Sequence, residues 1–304
     1  MASPLRLTIA AGAGRDALVD AAWAEVQATF ARADAAMSRF REDSELTKLN
    51  RRAPAAMPIS RDLAKALAAA DRARRVTDGR FEPRVVEALE RIGYLGVPQG
   101  PAPASAPTRP ARILGRAGRA GPMSVASPVD LGGIGKGLAL RWAAAALSRL
   151  LATGPGLNLG YLVDAGGDIV AAGSPDGTAS WLVAIEDPAG GTEPVAVAAV
   201  RERGAIATSS IRRLRWEHAG RTVHHLIDPR TGEPGGDGLA AVTVAGPDPA
   251  WAEVWSKALF LVGAAGIAAT ARARGLAAWW VTSDGLLEMT PAARVRTAWV
   301  AAEA

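Results

Sequence analysis

Over residues 16–37 the apolar side chains Val19, Trp23, Val26, Phe30 and Met37 recur at helical spacing, whereas from Tyr161 onward apolar runs are short and broken by turns. A chain divided this way must lay amphipathic helices against short strands, so an α+β fold with mixed or antiparallel sheets is expected. Residues 5–10 read as a first strand, and Ser60 is placed to cap a second helix reaching roughly Arg75. Thr77-Asp78-Gly79 is a turn, and Phe81-Glu82-Pro83 begins another segment. The run Leu131-Gly132-Gly133-Ile134-Gly135-Lys136-Gly137 leads into a helical pattern over residues 138–151. Residues 161–170 read as two strands around a Gly166-Gly167 turn, and 180–186, 195–200 and 241–245 as further strands. Helices over 249–262 and 267–274 and strands over 276–281 and 286–289 complete the pattern. Trp279 and Trp280 point in opposite directions on such a strand, so one of them is expected to be partly exposed. The stretch 98–110, rich in Pro, Ala and Ser, reads as a surface insertion in one globular domain spanning 1–304.

At 304 residues the chain can bury a sizeable core. It contains no cysteine, which excludes disulfides, thiolate metal sites and a cysteine nucleophile. The net charge of +5 is spread over local groups at Arg51-Arg52, Arg72 to Arg75 and Arg212 to Arg215. Aromatic residues are not interleaved with them, so no nucleic-acid platform is expected, although a phosphate ligand suits the balance. No segment is long and apolar enough for a membrane span, and a cytoplasmic protein is expected.

Two of the three histidines fall in His224-His225-Leu226-Ile227-Asp228-Pro229-Arg230-Thr231-Gly232, where an apolar run over 222–227 feeds a tight turn. Imidazole titrates near neutrality, so this pair beside a carboxylate is an acid/base candidate; the alternative is a strand end where one imidazole hydrogen-bonds to Asp228. The glycine run fits neither the dinucleotide fingerprint nor the phosphate loop. Its glycines nevertheless allow close backbone approach, the helix start offers free N–H groups, and Lys136 adds a charge. The alternative is a tight helix start with a solvent-facing lysine. Gly166-Gly167-Asp168 either approaches a ligand or is a plain hairpin turn. The hydroxyls of Thr208, Ser209 and Ser210 read as structural. Glu253 and Lys257, one helical turn apart, read as an i,i+4 ion pair. Trp23, Trp255 and Phe260 read as core or interface residues.

Taken in order, these segments resemble the FAD:protein FMN transferase family, once called thiamine-biosynthesis lipoproteins. The matching stretches are Met37-Ser38-Arg39-Phe40 through Asp43-Ser44-Glu45-Leu46 to Leu49-Asn50, and Thr77-Asp78-Gly79-Arg80-Phe81-Glu82-Pro83. They continue with Asp130 to Gly137, Asp164-Ala165-Gly166-Gly167-Asp168, Ala205-Ile206-Ala207-Thr208-Ser209, the run from His225 to Gly232, and the helix from Ala252 to Phe260. Each is weak alone; together, in order, they cover almost the whole chain. The resemblance implies one α+β fold with FAD in a cleft between lobes. It also implies Mg²⁺-assisted transfer of FMN to a Thr or Ser hydroxyl of an acceptor flavoprotein, with release of AMP. In that scheme His225, Asp228 and Lys136 are catalytic, with His225 a base for the incoming hydroxyl. Ser38, Glu82, Gly132, Gly133, Lys136, Asp164, Gly166, Gly167, Asp168, Thr208 and His225 contact FAD. Glu253 and the Gly133 carbonyl ligate the metal.

Three departures from the family pattern stand out. Glu253 and Lys257 occupy positions where Asp and Thr are usual metal ligands, and a protonated lysine repels Mg²⁺. The Thr-Ser-Gly-acid pattern reads Thr208-Ser209-Ser210-Ile211. Glu82 stands for Asp before Pro83, with Arg84 in place of a small hydroxyl residue. These departures raise two further readings: Lys257 standing where the ion would sit, and a flavin-binding or protein-interaction relative that has lost Mg²⁺-dependent transfer. The absence of a lipobox cysteine adds to the cytoplasmic expectation.

Overall fold

A computed structural model describes residues 4–12, 14–96, 120–152, 159–177 and 180–301, so the expected insertion at 98–110 lies outside the described residues. In chain order the elements begin with β1 (Leu5–Ile9), α1 (Asp16–Met37), α2 (Glu45–Arg52), β2 (Met57–Ile59), α3 (Arg61–Val76), α4 (Val86–Arg91) and β3 (Gly121–Met123). Next come α5 (Gly135–Leu151), β4 (Tyr161–Ala165), β5 (Asp168–Ala172), β6 (Trp181–Glu186), β7 (Pro194–Val200) and β8 (Arg203–Ser210). Short strands follow: β9 (Arg215–His218), β10 (Arg221–His224), β11 (Ile227–Asp228) and β12 (Glu233–Pro234), then the longer β13 (Leu239–Gly246). The chain closes with α6 (Pro249–Phe260), α7 (Ala264–Ala273), β14 (Ala277–Thr282), β15 (Leu287–Met289), α8 (Pro291–Arg294) and β16 (Thr297–Val300).

The helix starts follow from local chemistry. Ser60 accepts a hydrogen bond from Leu63 N at 3.2 Å, as its sequence position predicts. Asp248 caps α6 by accepting from Ala250 N at 2.9 Å, with Pro249 in the first turn, where its missing N–H costs nothing. Seven strands form the central sheet in the order β1-β4-β5-β8-β13-β14-β15, with every neighbouring pair antiparallel. One face is covered by α5 and α6, with α1 packed behind them. There Leu140, Ala143 and Leu147 meet Val163, Val170 and Ala207. On the opposite face the sheet β16-β7-β6 packs Trp181, Val183 and Ile185 against Ile206 and Trp279. The α+β expectation holds. Among the described residues no helix is long and apolar enough to cross a membrane.

Two local expectations are corrected. Trp279 and Trp280 do point to opposite faces, but they are only 0% and 2% exposed. Their strand is covered on both sides, with Trp279 under the three-stranded sheet and Trp280 against α6 and α7. The run 222–227 is not one strand: it breaks at His225-Leu226 between β10 and β11, which turns the His225 side chain inward. The core role of Phe260 holds, since it is fully buried against Val242 and Val244.

Candidate functional site

The site lies where the starts of α5 and β5 meet the middle of α6. Gly137 makes this junction possible, because a Cβ there would stand 2.5 Å from Ala250 Cα and from the Pro249 carbonyl oxygen. Only a residue without a side chain allows α5 to cross α6 this closely. The crossing brings Glu253 of α6 under the first turn of α5, where its Oε2 accepts the Gly137 N–H at 2.8 Å. Glu253 therefore caps the first turn of α5 through Gly137, which lies 116 residues earlier in the chain.

That capping narrows the expected free N–H groups at the glycine run to the Gly133 and Lys136 amides, which have no partner among the described residues. Gly132 N donates to Asp130 Oδ1, Ile134 N and Gly135 N donate to the Leu131 carbonyl, and Gly137 N donates to Glu253. The charges of this region are carried by side chains instead. Lys136 is not solvent-facing; its Nζ pairs with Asp168 Oδ2 and lies 3.8 Å from Glu253 Oε1. Burial opposes its charge, but the Asp168 and Glu253 carboxylates outweigh burial and hold its pKa above the ordinary lysine range. Burial pushes the Glu253 carboxyl up to about 7, against the attraction of Lys136. Asp168 also accepts from Thr208 N at 3.2 Å, so the hairpin residue and the β8 residue do meet. The Thr208 and Ser209 hydroxyls have structural partners, Thr243 at 2.8 Å and Ser256 at 2.9 Å. Gly166 and Gly167 form the hairpin turn at positive φ, closed by Gly167 N donating to Asp164 Oδ1 at 2.8 Å.

Beside this network lies a cavity of about 90 Å³ whose walls include Phe81, Gly132, Gly133, His225 and Lys257, with Phe40 at its rim. Whole small-molecule ligands fill roughly 300–1,000 Å³, so the enclosed space suits a phosphoryl-sized group with the rest of a larger ligand outside it. Lys257 does not form the expected pair with Glu253. Its Nζ rests on the Gly133 backbone, 2.7 Å from where a Cβ would stand. Among the described residues this ammonium makes no hydrogen bond or ion pair. Burial lowers its pKa, opposed by the Glu253 and Asp130 carboxylates. His225 sits in the same cavity with Nδ1 3.4 Å from the Leu214 carbonyl oxygen, an arrangement that suits a proton on Nδ1 and leaves Nε2 as an acceptor. Burial, reinforced by the positive charge of Lys257, pushes this imidazole down to about 3, so it is neutral at physiological pH.

Asp228 does not meet either histidine. Its carboxylate accepts from Arg230 N at 2.9 Å and Arg230 Nη2 at 2.6 Å, with Arg80 at 3.9 Å. The Arg230 side chain holds it below the usual carboxylate range. Glu82 lines the cavity but is held by Arg84 and by Arg74 at 2.8 Å. Ser38 ends α1 and is reached by the Ser44 and Thr47 hydroxyls; it is Phe40, two residues on, that lines the cavity.

Sequence reasoning gave no role to Arg39, Tyr94 or Asp130. Buried Arg39 pairs with Asp130 and lies 4.5 Å below the Phe40 ring and 5.0 Å from the Tyr94 ring. Tyr94 in turn stacks on Trp216 at 5.6 Å, forming an aromatic wall at the cavity mouth. An Asp directly before a glycine run signals an acceptor for its amides, which marks Asp130; nothing local marks Tyr94. A larger open depression of about 1140 Å³ near Gly160, Ser174 and Arg203 sits at the far end of β4–β5 from Asp168 and holds none of these residues.

The donor set does not fit a resident divalent ion. The one carboxylate expected to bind it, Glu253, is spent on Gly137 and Lys136, and Lys257 adds a repelling charge. Among the described residues no three His, Cys, Asp or Glu side chains converge on a point that could hold a metal.

A family model described as the ApbE family matches residues 1–280. The FAD:protein FMN transferase of Haemophilus influenzae is 32% identical over 261 residues, covering 79% of this chain and 72% of that protein. The FAD:protein FMN transferase of Treponema pallidum is 31% identical over 272 residues, covering 81% and 72%. Among solved structures, the ApbE protein of Thermotoga maritima matches with a TM-score of 0.79 at 23% identity, covering 97% of this chain and 96% of the other. The flavin transferase ApbE of Vibrio cholerae matches with a TM-score of 0.74 at 20% identity over the same shares. These two structures speak to the fold, while the family match spans most of the sequence. The chain belongs to the ApbE family.

Proposed function

We propose that this protein transfers the FMN part of FAD to a Thr or Ser hydroxyl of an acceptor flavoprotein and releases AMP. The observation that carries the reading is the placing of an unpaired ammonium, Lys257, and a neutral imidazole, His225, in one phosphoryl-sized cavity of an ApbE-family chain. The acceptor hydroxyl oxygen attacks the FMN phosphorus of FAD. The bond from that phosphorus to the bridging oxygen breaks, and the oxygen leaves with AMP. His225 Nε2 takes the hydroxyl proton, and the Nδ1 contact with the Leu214 carbonyl keeps the ring in that tautomer. Lys257 meets the charge that builds on the phosphoryl oxygens.

Lys136 acts differently. Its pairing with Asp168 and Glu253 makes it a fixed part of the framework beside the cavity, holding the β4–β5 hairpin against α5. Asp228, bound by Arg230 and Arg80, shapes the turn after β11 and so aims His225 rather than touching substrate. The aromatic wall of Phe40 and Tyr94 offers an apolar face to the isoalloxazine ring, which the cavity itself is too small to enclose. The binding cleft is thus the cavity plus this open aromatic face.

The test is incubation with FAD and an acceptor protein carrying a target threonine, followed by mass spectrometry of the acceptor. FMN mass on the threonine peptide, absent when that threonine is changed to valine, supports the reading. FAD binding with no adduct favours instead a relative that binds flavin without transferring it.

A further inference from the structure

We propose that the Lys257 ammonium is the built-in cation of the phosphate site, so that this chain binds the diphosphate of its flavin dinucleotide without a divalent ion. The proposal rests on the flavin-transfer reading above. It follows from how charges are paired around the cavity. Asp130 is engaged by Arg39 and Gly132 N, Asp168 by Lys136 and Thr208 N, and Glu253 by Gly137 N and Lys136. Glu82 is engaged by Arg74 and Arg84. A divalent ion needs several anionic oxygens turned to one point. Here each of these carboxylates is turned to a cation or an amide of the protein itself.

Lys257 is the opposite case. Its ammonium has no carboxylate within ion-pairing distance among the described residues, yet it lies in the cavity wall on the Gly133 backbone, beside His225. A sequestered charge without a partner is unfavourable until an anion reaches it. The site as built therefore lacks an anion, not a cation. Two features make the position effective. Lys257 stands on α6, which Asp248 caps and α5 crosses, so its charge is presented from a rigid element. An ammonium also carries three donors and can bridge oxygens of adjacent phosphates. Unlike a bound ion it is present at any metal concentration.

The test is the affinity of the purified full chain for FAD, measured by calorimetry once in excess EDTA and once in excess Mg²⁺. The expected result is affinities that agree within about twofold, with Lys257→Met weakening binding at least about tenfold in both buffers, as loss of a charge-assisted contact requires. Lys257→Arg should keep most of the affinity. Tightening of tenfold or more by Mg²⁺ in the unaltered chain overturns the proposal and leaves the flavin-transfer reading standing. So does a folded Lys257→Met protein that binds FAD undiminished. Absence of FAD binding in both buffers overturns the flavin-transfer reading itself, and the proposal with it.

Discussion

The Glu253 carboxylate accepts the Gly137 amide at 2.8 Å, so a buried acid on α6 closes the N-terminus of α5. This contact ties the two helices that flank the site. Glu253→Ala leaves Gly137 N without a partner and Lys136 with one carboxylate fewer. It should destabilise the fold by roughly 1–3 kcal/mol in denaturant unfolding, whereas Glu253→Gln, which keeps an acceptor, should lose less than half of that.

Glu253 and His225 also impose opposite pH dependences on stability. Glu253 has a folded pKa of about 7 against an ordinary 4.5, so between those values the folded state holds the extra proton and stability falls as pH rises. His225 has a folded pKa of about 3 against an ordinary 6.5, so the unfolded state holds the extra proton and stability rises with pH across that window. The two slopes, each at most about 1.4 kcal/mol per pH unit, offset one another where the windows overlap. Denaturant melts between pH 4.5 and 6.5 should be nearly flat for the unaltered chain, rise with pH for Glu253→Gln, and fall with pH for His225→Asn.

Replacing His225 separates catalysis from binding. His225→Asn should lower the rate of FMN transfer by roughly 10²- to 10⁴-fold, the usual weight of a positioned base. The FAD affinity should change by less than about threefold, because Lys257 and the aromatic wall remain. Single-turnover transfer and calorimetry on the same preparation check both parts.

Gly137→Ala tests the helix crossing. A methyl 2.5 Å from Ala250 Cα forces α5 and α6 apart, and the expected loss is about 1–3 kcal/mol with weakened FAD binding. A melting temperature equal to that of the unaltered chain would show that the crossing tolerates a side chain.

Much of the architecture was legible in the sequence because it rests on local signals. The period of residues 16–37, the Ser60 cap and the Gly166-Gly167 hairpin all appear where pattern and turn chemistry put them. The strand β8 was harder to see, since Ala, Thr and Ser give little apolar alternation and pairing with β5 and β13 defines it. The helix α2 was also missed, being short and polar. At the site, motif order grouped Lys136, Asp168, Glu253, Lys257 and His225, but pairings were not readable. Spacing suggested that Glu253 pairs with Lys257 and an imidazole with Asp228. The fold gives Glu253 to Gly137 and Asp228 to Arg230, because contacts across α5 and within the turn after β11 are shorter. Tyr94 carries no local signal; it is placed at the cavity by contacts distant in sequence, with Arg39, Phe40 and Trp216.

The central claim, that this chain moves FMN from FAD to a hydroxyl, is tested most directly by the stoichiometry of products. AMP released and flavin esterified to the acceptor should be measured in one reaction, by chromatography and by intact-protein mass. The account predicts one AMP for each flavin attached, in EDTA as in Mg²⁺. FAD recovered intact beside an unmodified acceptor in both buffers would contradict it.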